Sequence, residues 1–235
     1  MTIQPKLDEI LTRSWEIFTR KFKTILIITL IIYIPLNFVL ESLPADDTAE
    51  GMMMYFRAMQ LLEGLFGILA AIAIAFITKS ALENKAISWQ ESLKLAINKW
   101  LKAIGTNLLA GILLLGLFIL LIIPGIIFSI YWYFILYVVI FTDKWGLEAL
   151  KASKELVQNR WWKTFGYAIL FGALALIVGA IASLPIYFMA DNIFLYVAGD
   201  LIIDIAIAFF SVLSVVWYFA WESSKIKSPN KSESK

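Results

Sequence analysis

Long apolar segments alternate with short polar and basic segments along this chain. Stretches with little or no charge cover residues 24–40, 58–77, 164–187 and 201–221. An α-helix of about 20 residues crosses the roughly 30 Å hydrocarbon core of a bilayer, so each stretch is long enough for one crossing. Residues 103–142 contain no charged residue and suffice for two. The pattern therefore predicts an all-α, polytopic integral membrane protein with six transmembrane helices.

Proline residues and polar segments divide or end the apolar stretches. Pro124 and Gly125 divide the longest apolar stretch and predict a tight turn between the third and fourth spans. Pro185 marks the end of the fifth span. Residues 1–222 then form a single membrane domain, and the polar segment 223–235 is predicted to be a disordered cytoplasmic tail.

The basic residues predict the sidedness of the chain. All of the 20 Lys and Arg residues except Arg57 lie in four segments, 1–23, 79–102, 143–163 and 222–235. Because cytoplasmic loops retain Lys and Arg, these segments are predicted to be cytoplasmic, with both termini inside and the spans in the cell membrane. The first segment also carries acids, which is not typical of a cleaved signal peptide, so the first span is predicted to be retained.

Three of the basic segments also have apolar residues at helical spacing and end in an aromatic and basic collar. The collars contain Lys21-Phe22-Lys23, then Trp100 and Lys102, then Trp161, Trp162 and Lys163. Such rings and cations favour the headgroup region, so the collars are predicted to set the depth of the spans. Each amphipathic segment is either a separate helix in the membrane interface or a continuation of its span, and the first arrangement is favoured.

An internal repeat is visible at an offset of about 61 residues. Identical pairs include Ser92 and Ser153, Asn98 and Asn159, Trp100 and Trp161, Lys102 and Lys163, Gly111 and Gly172, and Pro124 and Pro185. Each unit holds one amphipathic helix and two spans, so the units enter from the same side and are parallel. The predicted units are 1–80, 81–142 and 143–222.

Composition excludes several kinds of chemistry. The chain is 61% hydrophobic and has neither Cys nor His. Disulfides, thiol catalysis, Ser-His triads and most zinc hydrolases are therefore excluded. The charge pattern follows the membrane sides, so no nucleic-acid partner is predicted. The sequence also lacks metal-ligand clusters and Gly-rich phosphate loops, so no metal or other cofactor is predicted.

Ionisable groups within apolar segments are the candidate polar sites, because they are costly at membrane depth. They are Glu63, Asp200, Asp204 and Arg57. Asp200 and Asp204 share a helix face and are expected to be solvated near the outer interface; the alternative is a polar pocket or pairing with Arg57. For Glu63, a solvated position and a functional role within the membrane are equally favoured.

Small and aromatic residues have mainly structural interpretations. Eight glycines in the spans, including Gly105, Gly111 and Gly172, are predicted to allow close helix packing. The aromatic run 131–134 with Tyr137 is predicted to form an outer aromatic belt rather than a stacking site for a ligand.

Parts of the sequence resemble a known family. The turn Ile122-Ile123-Pro124-Gly125-Ile126-Ile127, the segment from Ala149 to Val157 and the motif Arg160-Trp161-Trp162-Lys163 are similar to the membrane domain of glycerophosphoryl diester phosphodiesterases. The similarity is best over 85–170. It implies an integral membrane module. The phosphodiesterase domains of that family depend on histidines, which this sequence lacks, so no phosphodiesterase activity is expected.

The sequence thus favours a non-enzymatic membrane protein, accessory or lipid-associated, whose basic segments bind anionic headgroups or a protein partner. The alternative is a small transporter or exporter of amphiphilic molecules, with Glu63 and Asp204 along the route.

Overall fold

The computed structural model describes residues 6–43, 48–184 and 193–226, and these residues are helical apart from short connections. The α-helices are α1 (Leu7–Glu41), α2 (Ala49–Leu82), α3 (Trp89–Leu120), α4 (Ile122–Tyr131), α5 (Ile135–Phe141), α6 (Leu147–Val157), α7 (Trp161–Ser183) and α8 (Ile193–Ile226). A single 3-10 turn, Gln158–Arg160, joins α6 to α7.

Six helical stretches are long and apolar enough to cross a membrane, which confirms the predicted number. Four of them are α1, α2, α3 and α8. The fourth stretch in chain order combines α4 with α5, and the fifth combines α6 with α7. The chain is therefore a multi-pass membrane protein.

The core lies where α1, α2 and α8 pack together. Its fully buried side chains include Ile28 from α1, Ile72 from α2 and Trp217 from α8. Small residues of α2, such as Ala73 and Ala75, are also fully buried. Because alanine side chains are short, they allow neighbouring helices to approach closely where lipid gives no hydrophobic drive.

Two of the three amphipathic segments continue directly into their spans. Helix α1 runs unbroken from Leu7 to Glu41, and α3 runs from Trp89 to Leu120. The favoured prediction of separate interfacial helices is wrong for these two. Neither contains Gly or Pro between its amphipathic part and the start of its apolar part, so nothing interrupts the helical hydrogen bonds. Only the third segment, α6, is separated from its span, by the turn at Gln158–Arg160.

The turn between the third and fourth spans lies three residues before the predicted site. Leu121 alone is extended, with φ −156° and ψ 123°, and Pro124 and Gly125 lie in the first turn of α4. Proline is favoured in a first helical turn because its missing N–H would have no partner there. A side chain at Gly125 would meet the ring of Phe118 at 2.5 Å, so only glycine fits against α3.

The aromatic run from Tyr131 to Phe134 contributes to the protein interior. The chain leaves helical geometry between α4 and α5, at Trp132, Tyr133 and Phe134. Phe134 is fully buried and Tyr137 nearly so, and both pack near aromatic residues of α8. The prediction of an outer belt is wrong for these two rings, because the break between the helices turns them towards α8.

Several predicted features fall at the edge of the described ranges or outside them. Pro185 lies outside the described residues, as do residues 227–235 of the tail. The beginning of the tail, 223–226, is helical because α8 continues to Ile226. That part of the prediction of a disordered tail is wrong.

Candidate functional site

The most buried acid in the apolar region is Asp204 of α8. Its side chain is 7% exposed, and its Oδ2 accepts a hydrogen bond of 2.9 Å from the amide Nδ2 of Asn37 in α1. A buried carboxylate without a partner would be strongly destabilising, so the Asn37 amide offsets part of the cost of burial. The expected interfacial solvation of Asp204 is therefore wrong, because its side chain is buried between α1 and α8.

A tyrosine hydroxyl lies near this pair. Tyr33 is one helical turn from Asn37 on α1, and its Oη lies 3.5 Å from the position that a Cβ on Gly67 would occupy. Tyr33 is buried, and its hydroxyl faces α2 one helical turn from the amide that binds Asp204 of α8.

The other candidate acids and Arg57 are less buried. Asp200 is half-buried, and Glu63 and Arg57 are exposed on α2. The Arg57 guanidinium lies 3.2 Å from Sδ of Met53 on its own helix. Among the residues that the structure describes, no ion pair joins Arg57 to Asp200 or Asp204. The alternative of a pairing between Arg57 and these acids is therefore not observed.

Three cations bind backbone carbonyls near the ends of other helices. Arg20 Nη2 donates to the Ala81 carbonyl at 2.9 Å, and Lys99 Nζ donates to the Thr142 carbonyl at 3.1 Å. Arg160 Nη1 donates to the Trp221 carbonyl at 3.1 Å and also to Oγ of Ser224. The Ala81 and Thr142 carbonyls lie at the ends of α2 and α5, where carbonyls lack intrahelical partners and the negative end of the helix dipole favours cations.

Two of the collar tryptophans form hydrogen bonds to backbone carbonyls of other helices. Trp100 Nε1 donates to the Leu65 carbonyl of α2 at 2.8 Å, and Trp161 Nε1 donates to the Ile127 carbonyl of α4 at 3.1 Å. Trp162 is 78% exposed and agrees better with the predicted position at a lipid surface.

The bond between Trp161 and Ile127 joins a predicted cytoplasmic collar to the helix that follows the predicted turn between the third and fourth spans. Helix α4 has 10 residues, which is about 15 Å of helix, so it forms only the first half of the apolar stretch Ile122–Phe141.

A groove lies beside this contact, between α4 and the start of α7. Its volume is about 860 Å³. One part is polar and basic, with Gln158, Asn159, Arg160 and Lys163, and the rest is apolar and aromatic, with Ile123, Ile126, Ile127, Tyr131, Trp161, Trp162 and Phe165. The groove thus combines a cationic part with an apolar part. Lys102, which lies 61 residues before Lys163 in the sequence, does not line it.

The predicted role of the glycines is not seen within the chain. Seven of them, Gly64, Gly105, Gly111, Gly116, Gly166, Gly172 and Gly179, have open space where a Cβ would lie. These glycines do not mediate close helix contacts among the described residues. The close approach occurs at Gly125, which the sequence analysis assigned to a turn.

Some residues of these sites were missed by the sequence analysis. Asn37 was not selected because a single amide in an apolar segment carries no charge signal. Trp217 was not selected because nothing in the sequence distinguishes it from other tryptophans. It is fully buried among Tyr133, Phe134 and Phe171, and its indole N–H has no hydrogen-bond partner among the described residues.

No group of three or more Asp or Glu residues in the described ranges is arranged to hold a metal ion. Asp200 and Asp204, which are four residues apart on α8, are only two acids and do not form such a group. The geometry thus offers a buried hydrogen bond and an amphipathic groove as its two most distinctive sites.

The fold and these sites define an all-α, multi-pass membrane protein. The chain belongs to the family described as a domain of unknown function (DUF7847), whose model matches residues 58–220. The match begins in α2 and ends in α8, so it includes the groove and Asp204 but not Asn37. No curated protein and no solved structure matches the chain with significance.

Proposed function

We propose that this protein is a non-enzymatic, lipid-associated accessory protein of the cell membrane that binds anionic headgroups through its basic collars. One observation carries the proposal: the apolar windows of α3 and of α6 with α7 are only 17% and 6% buried within the chain. Surfaces this apolar and this open require lipid or an apolar partner. Lys102 and Trp162 lie near the start of these surfaces and supply groups that favour lipid headgroups.

The repeat and the link to phosphodiesterase membrane domains are part of this proposal. Contacts at corresponding positions support the units 81–142 and 143–222: Lys99 and Arg160 are 61 residues apart, and each binds a carbonyl near the end of its unit, at Thr142 and Trp221. Arg20 makes a similar bond to Ala81, the residue that follows the unit 1–80. Each unit also has a fully buried serine six or seven residues before that cation, namely Ser14, Ser92 and Ser153. The family match over 58–220 includes the whole of the segment 85–170 that carries the resemblance.

Sidedness can be tested by single cysteines, because the natural chain has none. With both termini cytoplasmic, Thr2→Cys and Ser234→Cys resist an impermeant maleimide on intact cells, and Thr48→Cys reacts. Permeabilised cells provide the control for accessibility. Labelling of either terminus on intact cells would contradict the proposed topology.

The lipid function is tested with the full chain in nanodiscs of mixed phosphatidylglycerol and phosphatidylcholine. We expect native mass spectrometry to show phosphatidylglycerol enriched among the lipids that remain bound. Equal retention of the two lipids would contradict the proposal. Chromatography of the same lipids after prolonged incubation tests the non-enzymatic role, and a new lipid product would disprove it.

A second candidate function is transport of an amphiphile, and the buried pair of Asn37 and Asp204 is the observation that favours it. Costly polar groups between transmembrane helices often mark a route for substrate or ions. In proteoliposomes, transport of a fluorescent phospholipid across the bilayer that is lost in Asp204→Asn and retained in Asp200→Asn would favour this candidate over the accessory role.

A further inference from the structure

We propose that the groove between α4 and the start of α7 is a specific site for one anionic phospholipid. Its phosphate binds at Arg160 and Lys163, and an acyl chain lies along Ile123, Ile126 and Ile127. The inference rests on the proposed lipid association and adds the site and the chemistry of recognition.

The charges of the groove fit an anion. Two cations line it and no acid does. The hydrogen bonds from Arg160 to Trp221 and Ser224 both use Nη1, so they fix the position of the guanidinium while Nε and Nη2 are not used by these bonds. A planar guanidinium held in this way is suited to phosphate oxygens, and the neighbouring amides of Gln158 and Asn159 can bind glycerol hydroxyls.

The apolar part fits a chain that enters from the membrane. Ile123 is 72% exposed and Trp162 is 78% exposed, so the groove is open on the side of the apolar surface. The volume of about 860 Å³ is within the range of pockets that hold small organic molecules. A soluble anion would use only the basic part, whereas a phospholipid uses both parts, and this favours the lipid as the occupant.

The repeat supplies a matched control for the test. Lys163 lines the groove, and Lys102 occupies the equivalent collar position on α3, outside the groove. Lys163→Gln and Lys102→Gln therefore remove the same charge from equivalent sequence positions. Arg160 is not the first choice for substitution because its bonds to α8 contribute to the fold.

The experiment measures the fraction of full-length protein that retains phosphatidylglycerol, by native mass spectrometry from nanodiscs of equal phosphatidylglycerol and phosphatidylcholine. We expect Lys163→Gln to reduce retention roughly tenfold, the loss typical of one charge-assisted hydrogen bond. Lys102→Gln is expected to reduce retention by less than about twofold, because Lys102 is only one of several exposed collar charges and each contributes little by itself. A second pair of variants fills the space without changing charge: Ile126→Trp is expected to reduce retention, and Ile119→Trp on α3 is not.

The outcomes separate the two proposals. If the unsubstituted chain shows no preference for phosphatidylglycerol, the lipid function itself fails. If it shows the preference but both lysine variants lose it equally, or neither does, binding is spread over the collars and the groove site is wrong. If Ile126→Trp changes nothing while Lys163→Gln does, the occupant uses only the basic part and is not a phospholipid. Thermal unfolding of each variant in detergent checks that it is folded.

Discussion

The central helices α1, α2 and α8 and the peripheral helices α3 and α7 are similarly apolar but have different surroundings. In each central helix 44% of the most apolar window is buried within the chain, against 17% in α3 and 6% in the stretch containing α7. Hydrophobic composition in a membrane protein therefore does not indicate what a helix contacts, because lipid and protein interior are equally apolar solvents. Side-chain packing and hydrogen bonds distinguish the two regions.

The largest expected effect is the loss of an aromatic ring from the central region. Trp217 is fully buried between rings of the α4–α5 connection, α7 and α8. Trp217→Ala should lower the free energy of unfolding by about 3–5 kcal/mol, as cavities of this size do. Leu120→Ala at the exposed end of α3 should change it by less than about 0.5 kcal/mol. Unfolding in mixed micelles measures both, and similar losses would contradict the distinction between the two regions.

A smaller effect is expected where α4 meets α3. Gly125→Ala places a methyl group within 2.5 Å of the Phe118 ring and should destabilise the protein by about 1–3 kcal/mol. Gly111→Ala, where space is open, should be neutral or stabilising because alanine favours helix. The double variant Gly125→Ala with Phe118→Leu should recover part of the loss. A Gly125→Ala variant as stable as the natural chain would show that α3 and α4 are not closely packed there.

The hydrogen bond between Asn37 and Asp204 should contribute about 1 kcal/mol, as measured for comparable bonds between transmembrane helices. A double-mutant cycle with Asn37→Ala and Asp204→Ala measures this coupling. The matched cycle with Asn37→Ala and Asp200→Ala should give almost none, since Asp200 is one turn away and only half-buried. Equal coupling in the two cycles would show that the bond is not specific.

The smallest effect concerns the tryptophan collars. Trp100→Phe removes the bond to the Leu65 carbonyl and should cost about 0.5 kcal/mol, the low end for a hydrogen bond. Trp162→Phe should be close to neutral, because Trp162 is mostly exposed. If Trp162→Phe lowers the free energy of unfolding more than Trp100→Phe does, the Trp100 hydrogen bond does not stabilise the fold and the collars act only as lipid anchors.

The sequence predicted the number of spans well but placed their local features less well. Six stretches were identified because apolar length is a direct consequence of bilayer thickness. The turn was placed at Pro124 rather than at Leu121, because proline is as compatible with a first helical turn as with a loop. Glu63 and Asp204 looked alike as acids in apolar segments. Only Asp204 is buried, and the partner that accounts for this, Asn37, is 167 residues away.

By itself, the order of residues determined that this chain is helical, multi-pass and lined with basic segments, since these properties depend on local composition and length. Tertiary structure decided which of six similar helices form the core, which acid is paired, and that Trp161 lies against Ile127 and forms one side of a groove. The physical reason is that bilayer insertion depends on the composition of each segment, whereas packing depends on side chains from distant segments that must fit one another.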